Sequence, residues 1–305
     1  MKKIYNSISA WLKKSNGNDF DAVESTDRIN WLRSLPFILF NLSCLLVFLV
    51  GVSKIAIIIS LLFCYFRIFA IGAFYHRYFS HRAYKTSRFF QFIFAVLGAT
   101  AVQRGPLWWA SHHRNHHAVA DKITDPHSPL QHGFIWSHIG WFLSEKNYFY
   151  SKKNITDLLN YPELVFLDKY DSLVPFICAL AMFALGEWLN YLSPGLKTNG
   201  WQMLVWGFSI STVLLFHLTV SINSLAHKYG KKAYPTKDES RNNLILAILT
   251  FGEGWHNNHH YYPSSARQGF RFWEIDITYY VLLLLKKIGI IWNLRQVPKE
   301  ILHRN

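Results

Sequence analysis

Four stretches of this chain are apolar over the length a bilayer core demands, about 20 residues for a helix rising 1.5 Å per residue. They cover residues 35–53, 55–74, 173–192 and 203–222. Composition agrees with a membrane setting: 51% of residues are hydrophobic and only 16% charged, against about a quarter in soluble domains. Lys54 alone separates the first two stretches, which read as a tight hairpin, and Pro194, Gly195 and Gly200 punctuate the short link between the last two. An all-α integral membrane protein with four crossings, and both ends on one side, is the expected fold class.

Charge orients the bundle. A net charge of +14 can signal nucleic acid or anionic lipid. Of the 32 Lys and Arg, 6 precede residue 35, 11 lie in 75–172 and 12 in 223–305; the others are Lys54, Arg67 and Lys197. The positive-inside rule places both termini and both long polar segments in the cytoplasm, so no nucleic acid is needed to explain the basicity. The first stretch starts too far in, and runs too long, for a cleavable signal. Cys44, Cys64 and Cys178 fall inside apolar stretches and read as packed thiols. Residues 1–34, with Trp11 and Trp31, read as a partly amphipathic lead-in at the interface. Residues 89–102 and 134–143 are apolar but too short to span, and the run 279–285 ahead of Lys286 and Lys287 suggests an amphipathic helix against headgroups.

The 15 histidines are not scattered. Three groups stand out: His76-Arg-Tyr-Phe-Ser-His81, His113-Arg-Asn-His116-His117 and His256-Asn-Asn-His259-His260. In the last two the i, i+3, i+4 spacing stacks three rings on one helix face, and two such faces opposed across a cavity hold enough ligands for two metals. The first group begins where the second apolar stretch ends, and the fourth stretch ends at Asn223-Ser-Leu-Ala-His227. All four therefore converge on one side. One HxxxxH alone reads more simply as a solvated basic patch; two HxxHH triplets beside it point to metal. No His-Glu-x-x-His of the zinc proteases occurs. Glu253/His256 and Glu300/His303 have the Glu-x-x-His spacing of carboxylate-bridged di-iron proteins, but the second pair lies in the tail and no further helical carboxylate pair accompanies the first. An imidazole-rich site suits iron, copper or zinc. Nine histidines, counting His227, exceed one tetrahedral zinc and suffice for two metals. Two irons can accept the electrons that dioxygen activation needs; two zincs cannot.

These boxes, in this order around four spans, resemble the membrane fatty acyl desaturase family, and within it the bacterial branch of the stearoyl-CoA (acyl-CoA delta-9) desaturase-like proteins. The likeness runs from His76 to Tyr262 and includes Gln103-Arg-Gly-Pro-Leu-Trp-Trp109, Asp125-Pro-His127, Ser137-His-Ile-Gly-Trp141 and Gly252-Glu-Gly-Trp-His256. The resemblance implies one desaturase domain over residues 1–305, with the four spans and a cytoplasmic helical cap from 75–172 and 223–305 that holds a histidine-rich di-iron site. It implies metal ligands at His76, His81, His113, His116, His117, His227, His256, His259 and His260, and a water-mediated contact from Asn223. Gln103 and Trp109 match residues lining the acyl channel. Thr219 matches as well, whereas Val220 stands where the animal enzymes carry a tryptophan that shapes the substrate bend. His112, His127 and His138 read as supporting residues, His217 as a packing partner within the fourth span and His303 as solvated tail.

The implied activity is dioxygen-dependent desaturation of a long-chain acyl thioester or acyl lipid, with two iron ions as cofactor and delta-9 as the family-typical position. The chain carries neither the His-Pro-Gly-Gly motif of a fused haem domain nor a Cys-rich iron–sulfur motif. Electrons are thus expected from a separate carrier, a ferredoxin or a b-type cytochrome with its reductase. The implied setting is the bacterial cytoplasmic membrane. Hydroxylation or alkyne formation on the same scaffold is the nearest alternative, separable by product analysis. A non-enzymatic metal carrier would place polar ligands inside the spans, whereas these clusters read as lying at their ends.

Overall fold

A computed structural model describes residues 27–302; Trp11 with the rest of the lead-in up to residue 26, and the tail His303, lie outside the described residues. The helices that position the site are, in chain order, α1 (Trp31–Val50), α2 (Lys54–Ser80), α3 (Arg88–Ala99), α4 (Pro106–Val119), α5 (Pro162–Lys169), α6 (Leu173–Leu192), α7 (Gly200–Ser224), α8 (Leu244–Leu249), α9 (His256–Tyr261) and α10 (Ile277–Lys287). Four of them, α1, α2, α6 and α7, are long and apolar enough to cross a membrane.

Three of the spans differ in extent from the sequence reading, each for a local reason. The first begins at Trp31, not residue 35, because the Asn30 side chain accepts from the Arg33 amide at 3.1 Å and caps it. It stops at Val50 because Gly51 turns the chain at a φ of 68°. Lys54 is not the hairpin connector. Ser53 caps α2 by accepting from the Ala56 amide at 3.0 Å, and Lys54 opens the helix. That helix continues past residue 74 to Ser80 through a π-helical stretch, Ile71–Ser80, a widened turn often found at functional sites. His76 therefore sits on the spanning helix itself, not beyond it. The third span matches residues 173–192, and the fourth extends to Gly200–Ser224, so Asn223 lies in its last turn.

The short connections meet at one end of the bundle: Ser53 Oγ lies 2.6 Å from Thr198 Oγ1, and Gln202 Nε2 donates to Val50 O at 2.9 Å. The long polar segments gather at the other end, where α2 delivers His76 and α7 delivers Asn223. Both described ends of the chain join them there. The Asn30 amide donates to Leu143 O at 3.1 Å, and near the C-terminus β2 (Ile291–Trp292) pairs antiparallel with β1 (Lys85–Thr86). The α10 helix buries Tyr279 and Leu282 and exposes Leu284, the two-faced pattern expected of the 279–285 run.

Two buried polar arrangements hold this frame. Arg67, fully buried in α2, donates to Thr212 Oγ1 at 2.6 Å, Ser211 Oγ at 2.5 Å and Thr100 O at 3.3 Å; a charge inside an apolar span faces the bundle and must find such partners. At the head of α4, Asp168 Oδ1 accepts from the amides of Leu107 and Trp108 at 3.1 and 2.9 Å, a cap donated from distant sequence. Gly105 makes room for it, since a β-carbon there would stand 2.3 Å from Asp168 Oδ1.

Candidate metal centre

The structure brings the eight box histidines and His227 together and divides them into two groups. His76, His81, His113, His117 and His259 form one; His116, His227, His256 and His260 form the other, the ring nitrogens within each lying inside 4.8 Å of one another. Each HxxHH box serves both. On α4, His113 and His117 join the first group while His116 turns to the second; on α9, His256 and His260 join the second while His259 turns to the first.

Carboxylates anchor the outer edge of the cluster. His116 Nδ1 donates to Asp125 at 3.0 Å, His227 Nδ1 to Asp121 at 2.8 Å and His260 Nδ1 to Asp238 at 3.1 Å. His76 Nδ1 contacts Glu253, whose other oxygen accepts from Arg77 at 2.8 Å. Such partners fix the tautomer and leave Nε2 free to face inward. Burial, reinforced by neighbouring imidazoles, holds His81, His113, His117, His256, His259 and His260 well below the ordinary imidazole range, so they are neutral at pH 7. Burial also works against a charged His116, but the Asp125 carboxylate outweighs it and raises that ring. For Glu253 burial pushes upward, and His76 and Arg77 overcome it to bring the carboxyl to about 2.

The donor set fits metal. Nε2 of His76 lies 2.9 Å from Nε2 of His259, Nε2 of His81 2.8 Å from that of His113, and Nε2 of His117 3.1 Å from that of His113 and 2.9 Å from that of His259. Two nitrogens each about 2.1 Å from one ion and at right angles about it stand about 3 Å apart. A neutral imidazole has one proton, and where Nδ1 holds it, two facing Nε2 atoms have nothing to share but a cation. In the second group His227 and His256 approach at 3.0 Å, and His116 and His260 at 3.4 Å.

A cavity of about 710 Å³ reaches this cluster at His113 and is lined by Gln103, Trp109, Thr219, Val220 and Asn223. Gln103 Nε2 donates to Thr219 Oγ1 at 3.0 Å, and Trp109 Nε1 reaches Gln103 Oε1 at 3.5 Å. Trp109 also stacks on His113, centroids 4.9 Å apart. Gln103 is flanked by Val102 and Arg104 at φ of 60° and 70°, a left-handed conformation that is an outlier for β-branched valine and that turns the glutamine toward α7. The rest of the wall is largely aromatic, with Phe37 and Phe40 from α1, Phe176 from α6 and Phe216 from α7.

Other histidines hold the frame. His112 Nε2 donates to Phe149 O at 2.9 Å, and His217 Nδ1 lies 3.1 Å from His138 Nε2. His127 packs on His116 with centroids 4.3 Å apart, and His132 donates to Asp125 O at 2.9 Å. The Glu253/His256 spacing does not make a helical pair. α9 begins only at His256, and Glu253 lies in the turn before it, where Phe251 and Gly252 take positive φ, so its carboxylate swings to His76 and Arg77. Of the supporting carboxylates, Asp238 follows no spacing that marks it in sequence; Asp121 and Asp125 stand shortly after the His113–His117 box, Asp125 in a run already noted, and that proximity was the available signal.

Comparison with known proteins gives the same direction. The fatty acid desaturase family profile matches residues 53–285. The chain is 33% identical over 282 residues, 92% of its length, to an sn-1 stearoyl-lipid 9-desaturase of Anabaena variabilis, 98% of which is covered. It is 38% identical over 231 residues, 74% of its length, to an acyl-CoA 5-desaturase of Anemone leveillei, 67% of which is covered. A chloroplastic palmitoyl-monogalactosyldiacylglycerol delta-7 desaturase of Arabidopsis thaliana is also 38% identical, over 74% of this chain and 58% of its own. With its four apolar helices, its histidine cluster and these relatives, the chain belongs to the fatty acid desaturase family and is an oxidoreductase acting on fatty acyl substrates.

Proposed function

We propose that this chain is a non-haem di-iron desaturase that introduces a double bond, at delta-9, into a long-chain acyl group carried by a lipid or by coenzyme A. The observation that carries the reading is the two-part donor set of five and four imidazoles, each part with the ligand number one iron takes and with carboxylates behind it. His76, His81, His113, His117 and His259 would hold one ion; His116, His227, His256 and His260 would hold the other, with Asn223 reaching it through water. Delta-9 is supported by the 9-desaturase name of the relative that aligns along nearly the whole chain.

When bound, the irons supply the redox chemistry that couples dioxygen to removal of hydrogen from two adjacent methylenes. One CH2–CH2 unit and one O2, with two electrons and two protons, give CH=CH and two waters. The chain's own residues bind and position. The aromatic wall excludes water from the acyl chain, the Trp109–Gln103–Thr219 bonds fix the wall beside His113, and Val220 leaves an aliphatic surface where the chain turns. Electrons come from a separate ferredoxin or b-type cytochrome. Residues 1–305 act as one domain in the bacterial cytoplasmic membrane, with the polar layer as a cytoplasmic cap; the concentration of Lys and Arg in the polar segments supports that orientation.

Expression in a desaturase-deficient host, with double-bond position read by mass spectrometry of its fatty acids, tests the reading together with metal analysis. A delta-9 product and about two irons per chain are expected. A hydroxy or alkyne product would reassign the outcome of the chemistry, and a single zinc with no new product would overturn the reading.

A further inference from the structure

The two imidazole groups are backed by unequal charge. In the four-ring group three rings give their Nδ1 proton to an aspartate: His116 to Asp125, His227 to Asp121 and His260 to Asp238. In the five-ring group, among the described residues, His76 alone meets a carboxylate, that of Glu253. The arginines are as unevenly placed. Arg77 pairs with Glu253 at 2.8 Å and with Asp276 at 3.0 Å, and Arg82 and Arg114, beside His81 and His113, share Asp157 at 2.7 Å each. Around the five-ring group three arginines thus meet three carboxylates, and their charges cancel. Among the described residues no lysine or arginine pairs with Asp121, Asp125 or Asp238, and the nearby Lys232 and Arg241 are taken up by Glu239 at 2.8 and 2.9 Å.

The aspartates keep their charge. Burial works to raise all three carboxyls, and their donors hold them below the ordinary aspartate value. A carboxylate that accepts the Nδ1 proton makes the opposite ring nitrogen a stronger donor to a metal. Unopposed negative charge in a buried site also favours the more highly charged form of an ion, and net charge and hydrogen bonding around an iron site are what set its potential. The four-ring group has three such carboxylates without a cation to offset them; the five-ring group has one, and Arg77 offsets it.

We propose that Asp121, Asp125 and Asp238 are positioning residues that make the two halves of the site unequal in redox preference: the four-ring group favours iron(III), and the five-ring group accepts iron(II) more readily. This deepens the di-iron reading above and rests on it, but it concerns the potentials of the two halves and is measurable without turnover.

The test uses the full chain in detergent, loaded with excess isotopically enriched iron, desalted and read by Mössbauer spectroscopy. Dithionite supplies one electron per iron pair, enough to turn one iron(III) into iron(II) with no bond formed or broken. Equal amounts of one iron(III) and one iron(II) signal are expected. Asp238→Asn keeps the shape of the side chain and removes its charge. It should perturb the iron(III) signal and move the electron's distribution toward that ion by about tenfold, equivalent to a rise of about 59 mV in its potential. Asp125→Asn should act on the same signal and serves as the second variant should Asp238→Asn fold poorly, whereas Glu253→Gln should perturb the iron(II) signal. A purely structural role for the aspartates would lower iron content and leave the potentials unmoved. That result, an electron shared evenly between the two ions, or aspartate variants that perturb the iron(II) signal would overturn the inference and leave the di-iron reading standing. A chain that holds no iron pair, as metal analysis of the same sample would show, would overturn both.

Discussion

His227 donates its Nδ1 proton to Asp121 at 2.8 Å, and Asp121 is held in turn by the Ser128 hydroxyl at 2.6 Å and the Glu239 amide at 2.8 Å. Burial works to raise this carboxyl, and His227 and Ser128 keep it below the ordinary aspartate value. Three chain segments thus fix one imidazole. Asp121→Asn keeps the left-handed backbone that position 121 adopts (φ 58°), which asparagine tolerates, but removes the charge behind the ring. Metal affinity should drop by about 10–100-fold. Iron remaining after dialysis against a chelator measures it; retention equal to the unsubstituted protein would mean that Asp121 does not support a metal-binding ring.

The nine clustered imidazoles and the histidines outside them should respond differently to truncation. His116→Ala and His259→Ala, one from each group, should each abolish product formation at matched membrane expression. His112→Ala should leave measurable turnover, because that ring spends its Nε2 on the Phe149 carbonyl. His303→Ala should be neutral. Similar activity in His116→Ala and His303→Ala would remove the metal reading.

Stability should depend on pH in a definite direction. Burial lowers His112 to about 4 and His127 to about 3 from an ordinary value of 6.5. Below 6.5 the unfolded chain takes up protons that the folded one refuses. Stability is therefore fully present above 6.5 and declines as pH falls toward 4, by at most about 1.4 kcal/mol per pH unit for each ring. The thermal midpoint of metal-free protein in detergent should be lower at pH 5 than at pH 7. His112→Gln, which keeps a donor for Phe149 O but cannot titrate, should flatten that dependence; an unchanged slope would assign it elsewhere.

Orientation is open to a direct test. A tag inserted near Lys152 should report from the same side as both termini, and one near Lys197, in the short link between α6 and α7, from the opposite side. A Lys152 tag on the Lys197 side would contradict the charge-based orientation.

Much of this was legible because hydrophobic length and histidine spacing are local properties. Residues 173–192 form α6 as read, and the boxes fall on helices as their spacing requires. The division of rings between the two groups was not legible. At about 100° per residue, His116 lies about 60° to one side of His113 and His117 about 40° to the other, and only the position of the facing helix decides that this difference separates them. Span ends were missed where caps and turns decide them, at Asn30, Gly51 and Ser53, since a hydropathy window averages over the side chain that stops a helix. Asp168 capping α4 across 60 residues of sequence separation is a product of tertiary placement that no local pattern encodes.

The crossing of the boxes ties assembly to loading. Because α4 and α9 each send rings to both groups, neither of the two proposed ions would have a compartment of its own: emptying one group would leave loose rings on the same two helices that hold the other. Two ions bound as proposed would work as a double rivet between segments more than a hundred residues apart. Occupancy across a population of molecules should then be bimodal, none or two, and a chain with a single ion should be a short-lived species on the way to one of those ends.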